Sequence, residues 1–207
     1  MLRLETFPVG PLGCNCSLLW NPDTLEGVVV DPGGDGPMIR RRVEALGFRV
    51  TALLHTHAHF DHVGATRELQ DLWQCPAHLH AEDGFLIDAL AQQTGMFGMP
   101  AIPKPTMTDL HAGDRHLDLT TLHTPGHTPG SCCFHGDFEK GQVLLAGDTL
   151  FRGGVGRTDL WGGDWDQIEQ SIRGQLYPLA ESTLVIPGHG PATTIGDERR
   201  GNPYVRP

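Results

Sequence analysis

The chain has 207 residues, 39% of them hydrophobic, and 15 Lys and Arg against 25 Asp and Glu give a net charge of -10 with neutral His. That length and apolar content suit one sizeable core, so a single domain over residues 1–207 is expected. The acidic balance argues against nucleic acid or an anionic membrane as a partner, and no apolar run is longer than a strand, which excludes a spanning helix. The N-terminus enters a strand-like pattern without the basic region, apolar run and cleavage site of a signal peptide, so a cytoplasmic address is expected.

In chain order, Leu2 to Val9, Cys16 to Trp20 and Gly27 to Val30 read as antiparallel strands, followed by the turn Asp31-Pro32-Gly33-Gly34-Asp35-Gly36. Met38 to Leu46 has helical spacing and stops at Gly47, and Val50 to Leu54 is a buried strand. Gly64 to Trp73 predicts a helix, Pro76 to His80 a strand and Glu82 to Gln93 another helix. Gly95 to Pro105 has no period and reads as a loop placed to lie over a site.

Short strands resume at Leu117 to His123, Ser131 to His135 and Gln142 to Ala146. Asp164 to Leu179 predicts a helix whose stripe is Trp165, Ile168, Ile172 and Leu176, and Thr183 to Ile186 is the last strand. Two strand-rich halves with helices outside them predict a four-layer αββα sandwich of the α/β class. Cys14, Cys16, Cys75, Cys132 and Cys133 make neither a disulfide framework nor a paired C-x-x-C zinc motif, and are expected as small buried or half-buried side chains.

The densest chemical signal is His57-Ala58-His59-Phe60-Asp61-His62, where an apolar strand ends and a helix begins. H-x-H at a strand end points two imidazoles the same way, and the following D-H faces a second point nearby. Imidazole and carboxylate together suit Zn, Fe(II), Mn or Co. The plain alternative is a strand end rich in solvated His, in a chain with 12 of them. Three more strand ends weigh against it: His127 in Thr124-Pro125-Gly126-His127, Asp148 in Ala146-Gly147-Asp148, and His189 in Pro187-Gly188-His189-Gly190. His55, His78, His80, His111, His116, His123 and His135 fit no motif and read as surface or supporting groups.

H-x-H-x-D-H, G-H-T-P-G, G-D and P-G-H-G in this order resemble the metallo-β-lactamase superfamily over nearly the whole chain. The resemblance implies one metal on His57, His59 and His127, a second on Asp61, His62 and His189, and Asp148 shared by both. Asp61 and Asp148 are then catalytic, with one or two Zn2+ ions as cofactor, Fe2+ or Mn2+ being alternatives. The implied nucleophile is a metal-bound hydroxide.

The stretches Phe151 to Asp164 and Pro187 to Pro203 are similar to single-domain bacterial glyoxalase II-like hydrolases. They imply hydrolysis of a hydroxyacyl thioester such as S-D-lactoylglutathione, with Arg157 placed to grip a glutathione carboxylate or, alternatively, to form a structural ion pair. The rival reading is an iron-dependent persulfide dioxygenase acting on glutathione persulfide, which resembles this chain in the H-x-H-x-D-H and G-R-T-D segments and implies iron on His57, His127 and Asp148. Small-molecule thioesters or other glutathione-derived compounds are the expected partners, and oligomeric state is not written in the sequence.

Overall fold

A computed structural model describes every residue from Met1 to Pro207. The chain divides into two compact units, Met1–Leu110 and His111–Pro207, each built on its own six-stranded sheet. No helix is long and apolar enough to cross a membrane.

In the first unit, β1 (Arg3–Val9), β2 (Cys14–Asn21) and β3 (Glu26–Val30) form the expected antiparallel meander. After helix α1 (Gly36–Leu46) the sheet turns parallel through β4 (Arg49–Leu54), β5 (Ala77–His80) and β6 (Met107–Leu110). Helix α1 starts with Pro in its first turn and ends at Gly47, whose φ of 73° lets its N–H reach back to the Val43 carbonyl. It buries Ile39 and Val43 in a core with Leu18, Val29, Leu53 and Leu69, and each such side chain contributes about 2 kcal/mol through removal from water. All five cysteines are buried and free, as expected.

The helix expected over Gly64 to Trp73 begins only at Thr66, as α3 (Thr66–Trp73), broken off from a short preceding helix, α2 (Phe60–Val63), that was not expected. Between them the Ala65 N–H leaves the helical pattern and donates to the Pro32 carbonyl at 2.9 Å. The expected Glu82–Gln93 helix is likewise broken into a 3-10 turn (Ala81–Asp83), α4 (Gly84–Asp88) and α5 (Leu90–Met96), with Ala89 at φ -93°, ψ 9° between the last two. Strand β6 had no clear signal because, of its four residues, only Leu110 is buried. The loop expected from Gly95 starts after Met96, and its Met99 and Ile102 pack on the cluster of Phe60, Leu86 and Leu90.

In the second unit the strands are β7 (Arg115–His116), β8 (Leu119–His123), β9 (Cys132–Phe138), β10 (Gly141–Gly147), a separate hairpin of β11 (Leu150–Phe151) and β12 (Gly154–Val155), β13 (Leu184–Pro187) and β14 (Thr193–Thr194). Sheet order is β14-β13-β10-β9-β8-β7, and only β10 and β13 run parallel. The strand expected over Leu117 to His123 begins only at Leu119, because Leu117, at φ 52°, lies in the turn between β7 and β8.

Helix α6 (Trp165–Ser171) continues as a π-helical segment, Ile172–Leu176, in which the Tyr177 N–H reaches the Ile172 carbonyl. Ile168, Ile172 and Leu176 are fully buried as the stripe predicted, but Trp165 is 40% exposed because it sits in the first turn, at the edge of the packed face. A C-terminal helix, α7 (Ile195–Gly201), was not legible; its Thr194 hydroxyl accepts from the Asp197 N–H as an N-cap.

Candidate metal centre

The parallel part of the first sheet ends its strands at one edge, where open α/β sheets place their ligands. Asp31 follows β3, the His55 to His59 segment follows β4, and the Ala81–Asp83 turn follows β5. Register ties them together: Val30 pairs with Leu54, and the Asp31 N–H donates to the Leu54 carbonyl at 3.0 Å. Gly33 is glycine for a steric reason, since a Cβ there would lie 1.6 Å from the Asp61 carbonyl oxygen.

Within this edge, His57 Nε2 lies 3.0 Å from His59 Nδ1, and His62 Nε2 lies 3.9 Å from Asp61 Oδ2. His62 Nδ1 lies 3.0 Å from Asp31 Oδ2; a carboxylate only accepts, so the proton sits on Nδ1 and Nε2 carries the lone pair. His57 is set the same way. Its Nδ1 is 3.1 Å from the Thr56 hydroxyl, which donates its own proton to Asp31 Oδ2 at 2.7 Å and therefore accepts from the ring. Asp31 also accepts the Thr56 N–H on Oδ1 at 2.8 Å. Buried Cys14 stands 3.5 Å from His62 Nδ1, and desolvation pushes its thiol up to about 12, so it stays protonated.

In the second unit, strands β10 and β13 run side by side with Gly147 opposite Pro187, so Asp148 and His189 leave neighbouring strand ends. His127 stands in the turn after β8. His127 Nε2 is 3.6 Å from Asp148 Oδ2, and His189 Nε2 is 3.9 Å from the same oxygen. The His127 Nδ1–H donates to the Arg157 carbonyl at 2.7 Å, which again turns Nε2 toward the carboxylate. Gly156 permits this approach, since a Cβ there would lie 1.8 Å from the Asp148 carbonyl oxygen and 3.1 Å from His127 Cβ.

Two donors each about 2.0–2.1 Å from one ion at a tetrahedral angle stand about 3.3 Å apart. Spacings of 3.0 and 3.9 Å in the first set and of 3.6 and 3.9 Å in the second bracket that value. Both sets consist of imidazoles and carboxylates, suited to Zn2+, Fe2+ or Mn2+. The residues present therefore fit divalent ions.

The other candidates have other occupations. The Arg157 guanidinium makes a two-point contact with Asp159, Nε to Oδ1 at 2.7 Å and Nη2 to Oδ2 at 2.8 Å, and holds that exposed carboxyl down to about 2. His55 bonds the His78 carbonyl and the Thr66 hydroxyl, and burial lowers its pKa to about 4, so it is a neutral internal brace. Sequence reasoning passed over Asp31, although it ends an apolar strand just as Asp148 does. It also missed Asp83 and Gln93, which carried no signal.

Residues 9–189 match the model of the metallo-beta-lactamase superfamily. Among curated relatives, a hydroxyacylglutathione hydrolase, GloC, of Haemophilus influenzae is 37% identical, the match covering 99% of this chain and 98% of that one. A probable metallo-hydrolase, YqgX, of Bacillus subtilis is 39% identical over 99% of this chain and 98% of its own. Among solved structures, TTHA1623 in a di-iron-bound form gives a TM-score of 0.88 at 36% identity, covering 97% of this chain and all of that one (100%). The BLEG-1 B3 metallo-beta-lactamase gives 0.86 at 36% identity over 98% and 99% of the two chains. ETHE1 from Myxococcus xanthus gives 0.76 at 26% identity over 98% and 84%.

Proposed function

The chain belongs to the metallo-β-lactamase superfamily and has its fold, and from that premise we propose that it is a metal-dependent hydrolase of hydroxyacyl thioesters such as S-D-lactoylglutathione. One observation carries the hydrolytic reading: His57, His62 and His127 each have Nδ1 engaged by an acceptor, so that each presents an Nε2 lone pair beside a further imidazole or carboxylate. The thioester substrate is supported by the full-length likeness to the Haemophilus influenzae hydroxyacylglutathione hydrolase.

On this reading the metal ligands are His57, His59, Asp61 and His62 from the first set and His127, Asp148 and His189 from the second, with Zn2+ as the cofactor and Fe2+ or Mn2+ as alternatives. The di-iron form of TTHA1623 supports a centre of two ions that accepts iron. Divalent ions held there would acidify a water molecule and polarise an acyl carbonyl. Asp61 holds the proton that the attacking water gives up, and Asp148 sets the two neighbouring imidazoles around a shared negative charge. The carbon–sulfur bond breaks with its electron pair on sulfur, and because a thiolate is a good leaving group no dedicated general acid is required. Arg157, released from Asp159, recognises a carboxylate of the thiol portion.

The test is steady-state hydrolysis of S-D-lactoylglutathione by protein of measured Zn and Fe content, with oxygen uptake on glutathione persulfide assayed on the same sample. The persulfide dioxygenase alternative needs only His57, His127 and Asp148, a subset of the same residues. Thioester turnover without oxygen uptake is expected; oxygen uptake without thioester turnover overturns the hydrolase reading. A β-lactam is assayed alongside because of the likeness to BLEG-1.

A further inference from the structure

Ala58 and Phe60 are the spacers of the His57-Ala58-His59-Phe60-Asp61-His62 run, and their side chains join an apolar cluster with Leu79, Leu86 and Leu90. Their main-chain groups are held by two polar side chains from later in the chain. The Ala58 N–H donates to Asp83 Oδ2 at 3.0 Å. The Phe60 N–H donates to Gln93 Oε1 at 3.0 Å, while Gln93 Nε2 donates to the Ala58 carbonyl at 3.2 Å and the Leu86 carbonyl at 2.8 Å. The Phe97 ring, just past α5, packs on Phe60 with centroids 5.0 Å apart.

Asp83 is wholly buried and Gln93 nearly so. Placing a carboxylate and an amide among leucines is costly unless their partners compensate. Here the partners are specific: Ala58 N, Ala58 O and Phe60 N lie on three successive peptide planes, 57–58, 58–59 and 59–60. These three planes include both that flank His59, and so fix the direction in which its side chain leaves the backbone, and one of the two that flank His57.

We infer that Asp83 and Gln93 are positioning residues of the metal centre, holding the spacer peptides so that His57 and His59 are set before any ion arrives. This rests on the reading of those histidines as metal ligands. The turn after β5 and helix α5 thereby become parts of the ligand scaffold. Supporting groups of this kind typically change metal affinity 10–100-fold.

The test measures Zn2+ affinity of the full-length, metal-stripped chain by competition with a chromophoric chelator, and thermal unfolding of the same samples. Gln93→Met and Asp83→Ala are expected to weaken Zn2+ binding about 10–100-fold, and Asp83→Asn, which keeps an oxygen for the Ala58 N–H, to stay within about threefold. Thr94→Val is the structural control: its buried hydroxyl bonds the Leu90 and Ala91 carbonyls of the same helix, so it lowers stability and leaves affinity unchanged. Wild-type affinity in both Gln93→Met and Asp83→Ala, with stability lowered as in the control, overturns the inference. His59→Ala separates the two readings: undiminished affinity there removes His59 as a ligand, whereas loss in His59→Ala alone removes only the role of Asp83 and Gln93. Should the substituted chains not fold, hydrogen exchange in the metal-free unsubstituted chain decides. Ala58 and Phe60 amides exchanging as slowly as those of β4 are expected, and rapid exchange overturns the inference.

Discussion

The Asp31 carboxylate stands 3.0 Å from His62 Nδ1, and the same oxygen takes the Thr56 hydroxyl at 2.7 Å. One carboxylate thus sets two imidazoles, His62 directly and His57 through Thr56. Asp31→Asn keeps the shape but offers a single acceptor oxygen, so it cannot hold the Thr56 N–H on one side and both remaining donors on the other. A loss of about 10–100-fold in Zn2+ affinity is expected from chelator competition, with the far-ultraviolet circular dichroism unchanged. Full affinity in Asp31→Asn would show that the ring orientation is set elsewhere.

Stripping the protein with a chelator is expected to abolish thioester turnover, and added Zn2+ to restore it. His59→Ala and Asp61→Asn are expected to lower kcat at least about 100-fold, since each removes a donor and its electrostatic contribution. Unchanged turnover in both variants rules out a mechanism that uses two ions.

Gly156→Ala forces a methyl group to within 1.8 Å of the Asp148 carbonyl oxygen and 3.1 Å of His127 Cβ. The backbone must shift, at a cost of about 3 kcal/mol, and the shift moves the Arg157 carbonyl away from His127 Nδ1. Urea unfolding should report the lost stability and chelator competition a lowered Zn2+ affinity. Loss of stability with full affinity would mean that His127 is oriented without the Arg157 carbonyl.

Because Asp159 already occupies the Arg157 guanidinium at two points, a substrate carboxylate has to compete with it. Asp159→Asn is therefore expected to lower KM for glutathione thioesters, and Arg157→Ala to raise it, with little change for a small neutral thioester. If neither substitution distinguishes the two substrates, the arginine and aspartate form a structural pair.

The Tyr177 hydroxyl donates to the Val205 carbonyl at 2.8 Å, and burial pushes its pKa up to about 12 from an ordinary value near 10. The folded chain therefore keeps the proton where the unfolded chain gives it up. The associated stability is complete below about pH 10 and is lost as pH rises from there toward about 12. Urea midpoints measured up the alkaline range should fall, and Tyr177→Phe should flatten that fall. An equal slope in both chains would place the alkaline loss elsewhere.

The proposed ligand residues stand out in the sequence because they cluster at or just past the ends of apolar strands, where a polar side chain has no packing reason to be. The residues that hold them were less legible. Gln93 reads in sequence as one more polar position in a helix, and only the folded chain brings it to the Ala58 and Phe60 peptides, 33 to 35 residues away. The start of the helix expected from Gly64 was misplaced for a related reason: the Ala65 N–H is drawn to Pro32, a partner that local periodicity does not contain. The pairing of Arg157 with Asp159 was within reach, being two residues apart, but the charge pattern alone does not separate an internal partner from an external one. Helix α7 escaped notice because its buried residues include Gly196 and Glu198, which no apolar stripe would count.

Strands β10 and β13 are adjacent and parallel, so Asp148 and His189 emerge together although the chain makes an excursion of some 40 residues between them. The sheet's hydrogen bonds set their spacing, and the excursion only has to return. Insertions, deletions and new side chains at exposed positions of that stretch, away from Gly156 and the buried Ile168, Ile172 and Leu176, can accumulate without displacing either donor. If the two are ligands as proposed, a pair anchored in this way leaves the exposed loops around it free to vary, so substrate preference can drift while the chemistry stays in place.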